Sequence, residues 1–359
     1  MPMTPDDVEP GSMDWRGNTP LSLAAERGYE AIVKMLLNRN GVDTNSRDPY
    51  GRTPFSRAAR FGYISIMQAL LERGVDLSPN NGQLTIALFE AARRGHCGVV
   101  ELLLQHNANT NARDNKNRTP LSYAAIKGCC VTVNLLLLQT VLQDVDIDVR
   151  DIDGRTPLSY AVSRGHLDVV KLLLQYNANI DFKDNEGRTP LSRAASSGYL
   201  AMVKLLIQHN ADIDSKDIKG RTPLFYAAFG NDVLVVKLLY EETSNADQKD
   251  EDGRTPFSYA VRFGNLEVVK FLVERGDIDI NSKDTYGRSA LSWALKTVYS
   301  HVFDVVGYLL EQDNVIVTED DRDVMKQTPN SGEYLKDSEY GHPRKSGYLL
   351  LSRYSEDHL

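Results

Sequence analysis

The chain has 359 residues, 42% of them hydrophobic and 25% charged, a composition typical of a soluble globular protein. Its net charge of −8 at pH 7 argues against a nucleic-acid binder, which needs a basic excess. No apolar run approaches the roughly 20 residues that cross a bilayer, so no membrane association is expected, and three cysteines (Cys97, Cys129 and Cys130, two of them adjacent) make no disulfide framework and predict a reducing, intracellular setting, cytoplasmic or nuclear.

Residues 1–13 begin with an acidic stretch that lacks the apolar core of a signal peptide, and a flexible N-terminal segment is expected there. From Asp14 to Gln312 the chain repeats itself. Gly154-Arg-Thr-Pro-Leu-Ser-Tyr-Ala-Val162 returns as Gly187-Arg-Thr-Pro-Leu-Ser-Arg-Ala-Ala195 and Gly253-Arg-Thr-Pro-Phe-Ser-Tyr-Ala-Val261. The threonine, or the residue in its place, recurs as Thr19, Thr53, Ile86, Thr119, Thr156, Thr189, Thr222, Thr255 and Ser289, at steps of 33 or 34 with one step of 37. That spacing predicts about nine units.

Within a unit, Thr-Pro reads as a helix start, with Thr as N-cap and Pro at the first helical position, where its missing N–H costs nothing. In the fifth unit a short first helix is expected over about 157–164, ended by Gly165 in the left-handed region. A second helix follows, with Val169, Val170, Leu172, Leu173 and Leu174 on a broad apolar face. Asn107, Asn177 and Asn210 stand where a second left-handed cap is needed, and Asp184-Asn-Glu-Gly187 closes the unit as a turn. One helix pair cannot bury its own apolar faces, so neighbours must stack into an all-α solenoid. Three units deviate: the fourth carries four extra residues within 135–144, the seventh has Asn231 for the inter-helix glycine, and the ninth has Ser289-Ala290 for Thr-Pro and a longer turn over 296–302. Residues 313–359, with ten acidic and six basic side chains and Tyr334, Tyr340, Tyr348 and Tyr354, are expected to form an acidic tail, disordered at least from about Thr328.

The pattern Asp-x-x-Gly-Arg-Thr-Pro-Leu-x-x-Ala-Ala-x-x-Gly followed by an apolar helix resembles the ankyrin repeat over about Asp14–Gln312. The resemblance implies helix-turn-helix units with β-turn or hairpin fingers, and a non-enzymatic scaffold or adaptor that binds another protein. A regulatory protein working through a bound factor in the nucleus, such as a transcriptional co-regulator or inhibitory subunit, is the alternative. One departure is systematic: the histidine that usually follows Thr-Pro-Leu is Ser22, Ser56, Ser122, Ser159, Ser192, Ser258 and Ser292, with Phe89 and Phe225 in two units. The usual Thr–His hydrogen bond must therefore be replaced. This Thr-Pro-Leu-Ser style is similar to the ankyrin expansions of filamentous fungi.

No motif points to catalysis. Asp151-Ile-Asp153-Gly154 and Asp250-Glu-Asp252-Gly253 lack the twelve-residue loop of an EF-hand, and the same Asp and Gly recur at repeat spacing as turn formers. There is no His-Glu-x-x-His, Cys-x-x-Cys, Walker loop or Gly-x-Ser-x-Gly, so neither a metal nor a cofactor is expected. His96 and His166 follow the inter-helix glycine and read as structural.

Partners of ankyrin proteins usually dock on the turn tips and on the concave face of the first helices. The position before the Ala-Ala pair reads Leu23, Arg57, Glu90, Tyr123, Tyr160, Arg193, Tyr226, Tyr259 and Trp293, and the two positions after the pair add Arg60, Arg93, Arg94, Lys127, Arg164 and Arg262 among others. Tyr, Trp and Arg dominate binding hot spots. The expected site is thus a basic, partly aromatic groove of Arg57, Arg60, Arg93, Arg94, Tyr123, Tyr160, Arg164, Arg193, Tyr226, Tyr259, Arg262 and Trp293. It would favour an acidic or phosphorylated protein segment. Packing between repeats is the competing reading of the aromatics, with their hydroxyls reaching water. The arginines after the turn glycine have a competing reading too, as partners of the turn aspartates.

Overall fold

A computed structural model describes residues 11–78, 82–143, 146–296 and 302–327. Among the described residues every regular element is a helix, and the helices come in pairs. The chain divides into two compact units, Met1–Phe182 and Lys183–Leu359. The first holds α1 (Pro20–Arg27) and α2 (Glu30–Leu37), α3 (Pro54–Phe61) and α4 (Ile64–Glu72), α5 (Gln83–Arg94) and α6 (Cys97–Gln105), α7 (Pro120–Lys127) and α8 (Cys130–Gln143), and α9 (Pro157–Ser163) and α10 (Leu167–Gln175). The second holds α11 (Pro190–Ser196) and α12 (Leu200–Gln208), α13 (Pro223–Gly230) and α14 (Val233–Glu242), α15 (Pro256–Arg262) and α16 (Leu266–Arg275), α17 (Ala290–Leu295) and α18 (Phe303–Leu310), and finally α19 (Glu319–Gln327).

Within each unit the first helix of every pair packs on the first helix of the next, and second helix on second helix. Helices this short are marginal alone; stacking supplies the core. First helices bury Leu21, Phe55, Leu88, Leu158 and the alanine pairs Ala58-Ala59 and Ala91-Ala92, while second helices bury Val99, Val100, Leu103, Val169, Val170 and Leu173. The small alanines let the short helices approach closely.

Six first helices begin as the Thr-Pro pattern requires, whereas α5 starts at Gln83 behind Gly82 with no side-chain cap. The hydroxyls of Thr19, Thr53, Thr119, Thr156, Thr189 and Thr255 accept the N–H of the serine three residues on. In α1, α3, α7 and α15 that serine hydroxyl also accepts the threonine N–H, a reciprocal capping box. This is what replaces the histidine bond. Phe225 has no hydroxyl to offer, and the Thr222 side chain makes no cap bond.

The unit ends also follow the sequence. Asn107, Asn177, Asn210 and Asn231 take φ of 59–62°, a region asparagine tolerates. Helix α8 runs 14 residues against nine in α6 and α10, so the insertion in the fourth unit adds about one turn. Of the longer turn expected in the ninth unit, 297–301 lie outside the described residues. Between helix pairs the chain forms tight turns closed at Asp48 by Gly51 N–H donating to its carbonyl (2.8 Å) and by its own N–H donating to Arg52 O (3.0 Å). These are hairpin-like fingers without strands.

The acidic segment expected beyond 312 enters the fold as far as 327. Thr318 and Asp321 cap each other at the start of α19, which packs on α17 with Met325 and Asp321 buried. The Thr-Glu-Asp-Asp start is a capping-box signal of its own, masked in sequence by the acidic composition around it. Residues 328–359, like 1–10, lie outside the described residues.

At several places, including eight residues before Thr53, Thr156, Thr255 and Ser289, neighbouring pairs are also joined by a polar rung. Asn45 Oδ1 accepts Asp76 N–H (3.0 Å), Asp148 Oδ2 accepts Asn179 N–H (2.9 Å), Asp247 Oδ2 accepts Asp279 N–H (2.6 Å) and Asn281 Oδ1 accepts Ile316 N–H (2.8 Å). Where the rung is aspartate, its second oxygen is buried without a hydrogen-bond partner at Asp148 and Asp247. Burial, with Asp146 nearby and only the Asn179 N–H opposing it, pushes the Asp148 carboxyl up to about 6. A raised carboxyl stabilises the fold below its unfolded value and loses that contribution as pH rises through about 6. Asn already serves this rung at 45 and 281. Asp148→Asn should therefore raise stability at pH 7.5 by about 1 kcal/mol after solvent screening, with the gain vanishing near pH 4. Urea unfolding at both pH values measures it.

Candidate functional site

The turn aspartates organise the face that the sequence marked for binding. In each turn one carboxylate oxygen accepts two backbone N–H groups. At Asp217 these come from Lys219 (2.8 Å) and Arg221 (2.9 Å), and at Asp48 from Tyr50 (2.9 Å) and Arg52 (2.8 Å). The other oxygen takes the Nε–H of the arginine after the turn glycine, at 2.7 Å for Arg52 and 2.8 Å for Arg221. The fold therefore pairs most of those arginines with its own carboxylates.

The same second oxygen accepts a further donor, from the residue nine positions later in the chain. That donor is Arg57 for Asp48 (2.8 Å), Tyr123 for Asp114 (2.8 Å), Tyr226 for Asp217 (2.6 Å), Tyr259 for Asp250 (3.4 Å) and Trp293 Nε1 for Asp284 (2.8 Å). Tyr160 donates likewise to Asp151, and Arg193 to Asp184. Seven of the twelve residues expected to line a groove thus spend a donor on tying the first helix to the turn before it. Their hydroxyls reach carboxylates where water was the expectation, and Arg57, which also binds Glu26 and Asn18, is only 4% exposed. Sequence carried the signal as a pairing. Glu90, which cannot donate, follows a unit whose turn aspartate is replaced by Asn81, and Leu23 follows Asp14, whose carboxylate takes Asn18 Nδ2–H (2.9 Å) instead.

Charge is locked in by the same bonds. For Asp48, Asp114, Asp184, Asp217 and Asp284, burial pushes the carboxyl up. Hydrogen bonds from the following arginine and, at Asp217, from Tyr226 outweigh it and hold the group below its usual range. Burial first, then the bond to Asp151, pushes the Tyr160 phenol up to about 12.

Five expected residues remain. Arg164 is exposed at the end of α9. Arg262 lies over the rings of Trp293 (4.4 Å) and Phe263 (5.7 Å) in the second unit. Arg60, Arg93 and Arg94 come together in the first unit, where with Phe61, His96 and Lys127 they line one shallow, open depression. Each sits near the C-terminal end of α3, α5 or α7, where a cation is favoured by the helix dipole. Arg93, Arg94 and Lys127 are exposed, and among the described residues none has a carboxylate within ion-pair distance. Arg60 Nε lies 3.8 Å from Glu90 Oε2, and neither atom has a hydrogen-bond partner. The guanidinium carbons of Arg60 and Arg94 stand 5.7 and 5.5 Å from the Phe61 ring centre. His96 is structural: its Nε2 bonds Arg60 O at 3.0 Å, and its ring covers Gly62. His166 does the same at Ile126 O (3.0 Å) and Gly128. Among the described residues no group of three or more His, Cys, Asp or Glu side chains is arranged to hold a metal ion, and no helix is long and apolar enough to cross a membrane.

Short helix pairs capped by Thr-Pro, closed by aspartate turns and stacked first helix on first helix define a helical repeat protein. A family model described as ankyrin repeats (3 copies) matches residues 5–81, 78–141, 132–217 and 224–321. The chain belongs to the ankyrin repeat family, whose repeats generally serve as protein–protein interaction modules. No curated protein matches the chain.

The lowered aspartates set an acid limit. A depressed carboxyl stabilises the fold above its unfolded value, near 4, and that contribution is lost as pH falls through the lowered folded value. Urea midpoints should rise slightly from pH 7 to 5 as Asp148 takes up its proton, and drop steeply below 4. In Asp217→Asn the midpoint at pH 7 should fall while the drop between pH 5 and 3 becomes shallower. An acid drop unchanged by Asp217→Asn would contradict this assignment.

Proposed function

We propose that the chain is a non-enzymatic interaction scaffold or adaptor, and that a partner protein docks an anionic segment on the depression formed by Arg60, Arg93, Arg94 and Lys127. The observation that carries this reading is a contrast in how cations are used. Arg52, Arg118, Arg188, Arg221, Arg254 and Arg288 are held on turn aspartates. Arg93, Arg94 and Lys127 converge with no carboxylate of the described residues beside them. Electrostatic complementarity of this kind sets specificity and association rate. The aromatic residues Tyr123, Tyr160, Tyr226, Tyr259 and Trp293 serve this function indirectly, by fixing the first helices.

Affinity capture followed by cross-linking tests the reading. Arg93→Glu/Arg94→Glu should reduce recovery of the partner by about tenfold or more. Lys204→Glu, on an exposed position of α12, should leave recovery unchanged, with thermal unfolding of both variants as in the parent. Full recovery by the Arg93→Glu/Arg94→Glu variant would remove the depression from the binding surface.

A further inference from the structure

The depression carries information about the chemistry of what it holds. We propose that it recognises a phosphate monoester on the partner segment, in preference to a run of carboxylates; this rests on the docking reading above.

The cations converge on one spot. Arg60, Arg93 with Arg94, and Lys127 come from the ends of α3, α5 and α7, three successive first helices, and line a single open depression of about 430 Å³. An acidic run carries one charge per side chain, distributed along an extended segment. A phosphate monoester places about −1.5 to −2 charge and three acceptor oxygens at a single point. Convergent donors match the second distribution.

The donors are also of the right type. Guanidinium groups present planar N–H forks that fit phosphate oxygens in pairs, and an ammonium adds a point charge. The guanidinium carbons of Arg60 and Arg94 both stand within cation–π range of the Phe61 ring, at 5.7 and 5.5 Å from its centre. Phe61 is itself 37% exposed, an apolar surface at the base of a cationic site. Its contacts restrict the two arginines before any ligand arrives, which lowers the ordering cost of binding. Arg60 Nε is buried without a hydrogen-bond partner, with Glu90 Oε2 too far away to accept from it. Arg60 is thus partly neutralised by Glu90, and the uncompensated charge of the site comes from Arg93, Arg94 and Lys127.

A test uses the full chain and an immobilised library of short degenerate peptides in three forms, with a central phosphorylated Ser, Thr or Tyr, a central Glu, or the unmodified residue. Phosphorylated peptides should be retained about tenfold or more over the glutamate form, and inorganic phosphate should compete. Arg93→Glu/Arg94→Glu should abolish the preference. Arg93→Lys/Arg94→Lys, which keeps the charge and loses the forks, should weaken it. Should the glutamate pair fail to fold, Arg93→Gln/Arg94→Gln takes its place. Equal retention of glutamate and phosphorylated peptides would overturn the phosphate assignment while leaving an anion-docking surface intact. Phosphopeptide retention that survives Arg93→Glu/Arg94→Glu would overturn the site. Failure to retain any peptide would overturn the proposal, with the docking reading then resting on partner capture alone.

Discussion

In most of the turns a single aspartate does several jobs at once. The Asp217 carboxylate closes its own turn by accepting two backbone N–H groups, holds the Arg221 guanidinium, and receives the Tyr226 hydroxyl. Its side chain is fully buried while Arg221 is 18% exposed. A buried charge is tolerated only when its lone pairs are filled by donors, and here they are. The turn and the first helix are thereby fixed to each other before any packing between repeats is counted. Because the donor stands nine residues on in seven of the units, the constraint recurs along the chain at repeat spacing.

That constraint redistributes what the surface can do. A row of Arg, Tyr and Trp on the binding face of a repeat protein has the composition of a hot spot. Here Arg57, Tyr123, Tyr160, Arg193, Tyr226, Tyr259 and Trp293 direct their polar atoms to carboxylates of their own chain. Of the expected residues, Arg60, Arg93, Arg94, Arg164 and Arg262 hold no turn aspartate, and the docking surface we propose is the set gathered at the ends of α3, α5 and α7. The surface is thus narrower than its composition implies, and its character is cationic with one apolar ring beneath.

Most of the fold is readable from the sequence because its devices are local. Thr-Pro caps, inter-helix glycines, left-handed asparagines and the extra turn in α8 each depend on a few neighbouring residues. The serine that stands where the family has histidine is legible in the same way, as a reciprocal cap. Two features were harder to read. The helix at Glu319–Gln327 begins with a capping signal, but its acidic composition suggested solvated chain, and only its packing on α17 decides the matter. The fate of the tyrosines depended on a contact between positions nine apart, a spacing that neither helix nor strand periodicity brings to attention. The co-loss of turn aspartate and donor at Asn81 and Glu90 was the available clue. The gathering of Arg60, Arg93, Arg94 and Lys127 into one depression needs the stacking geometry and could not be told from a continuous stripe in sequence.

The central proposal is that the aromatic and arginine residues before the alanine pair serve the turns rather than a partner. A double-mutant cycle on Asp217→Asn and Tyr226→Phe, read by urea unfolding at pH 7, tests it most directly. The account predicts a coupling energy of about 1–2 kcal/mol between the two sites, as expected for a buried hydrogen bond to a charged group, and partner recovery unaffected by Tyr226→Phe. Additive effects on stability, together with loss of the partner in Tyr226→Phe, would contradict it.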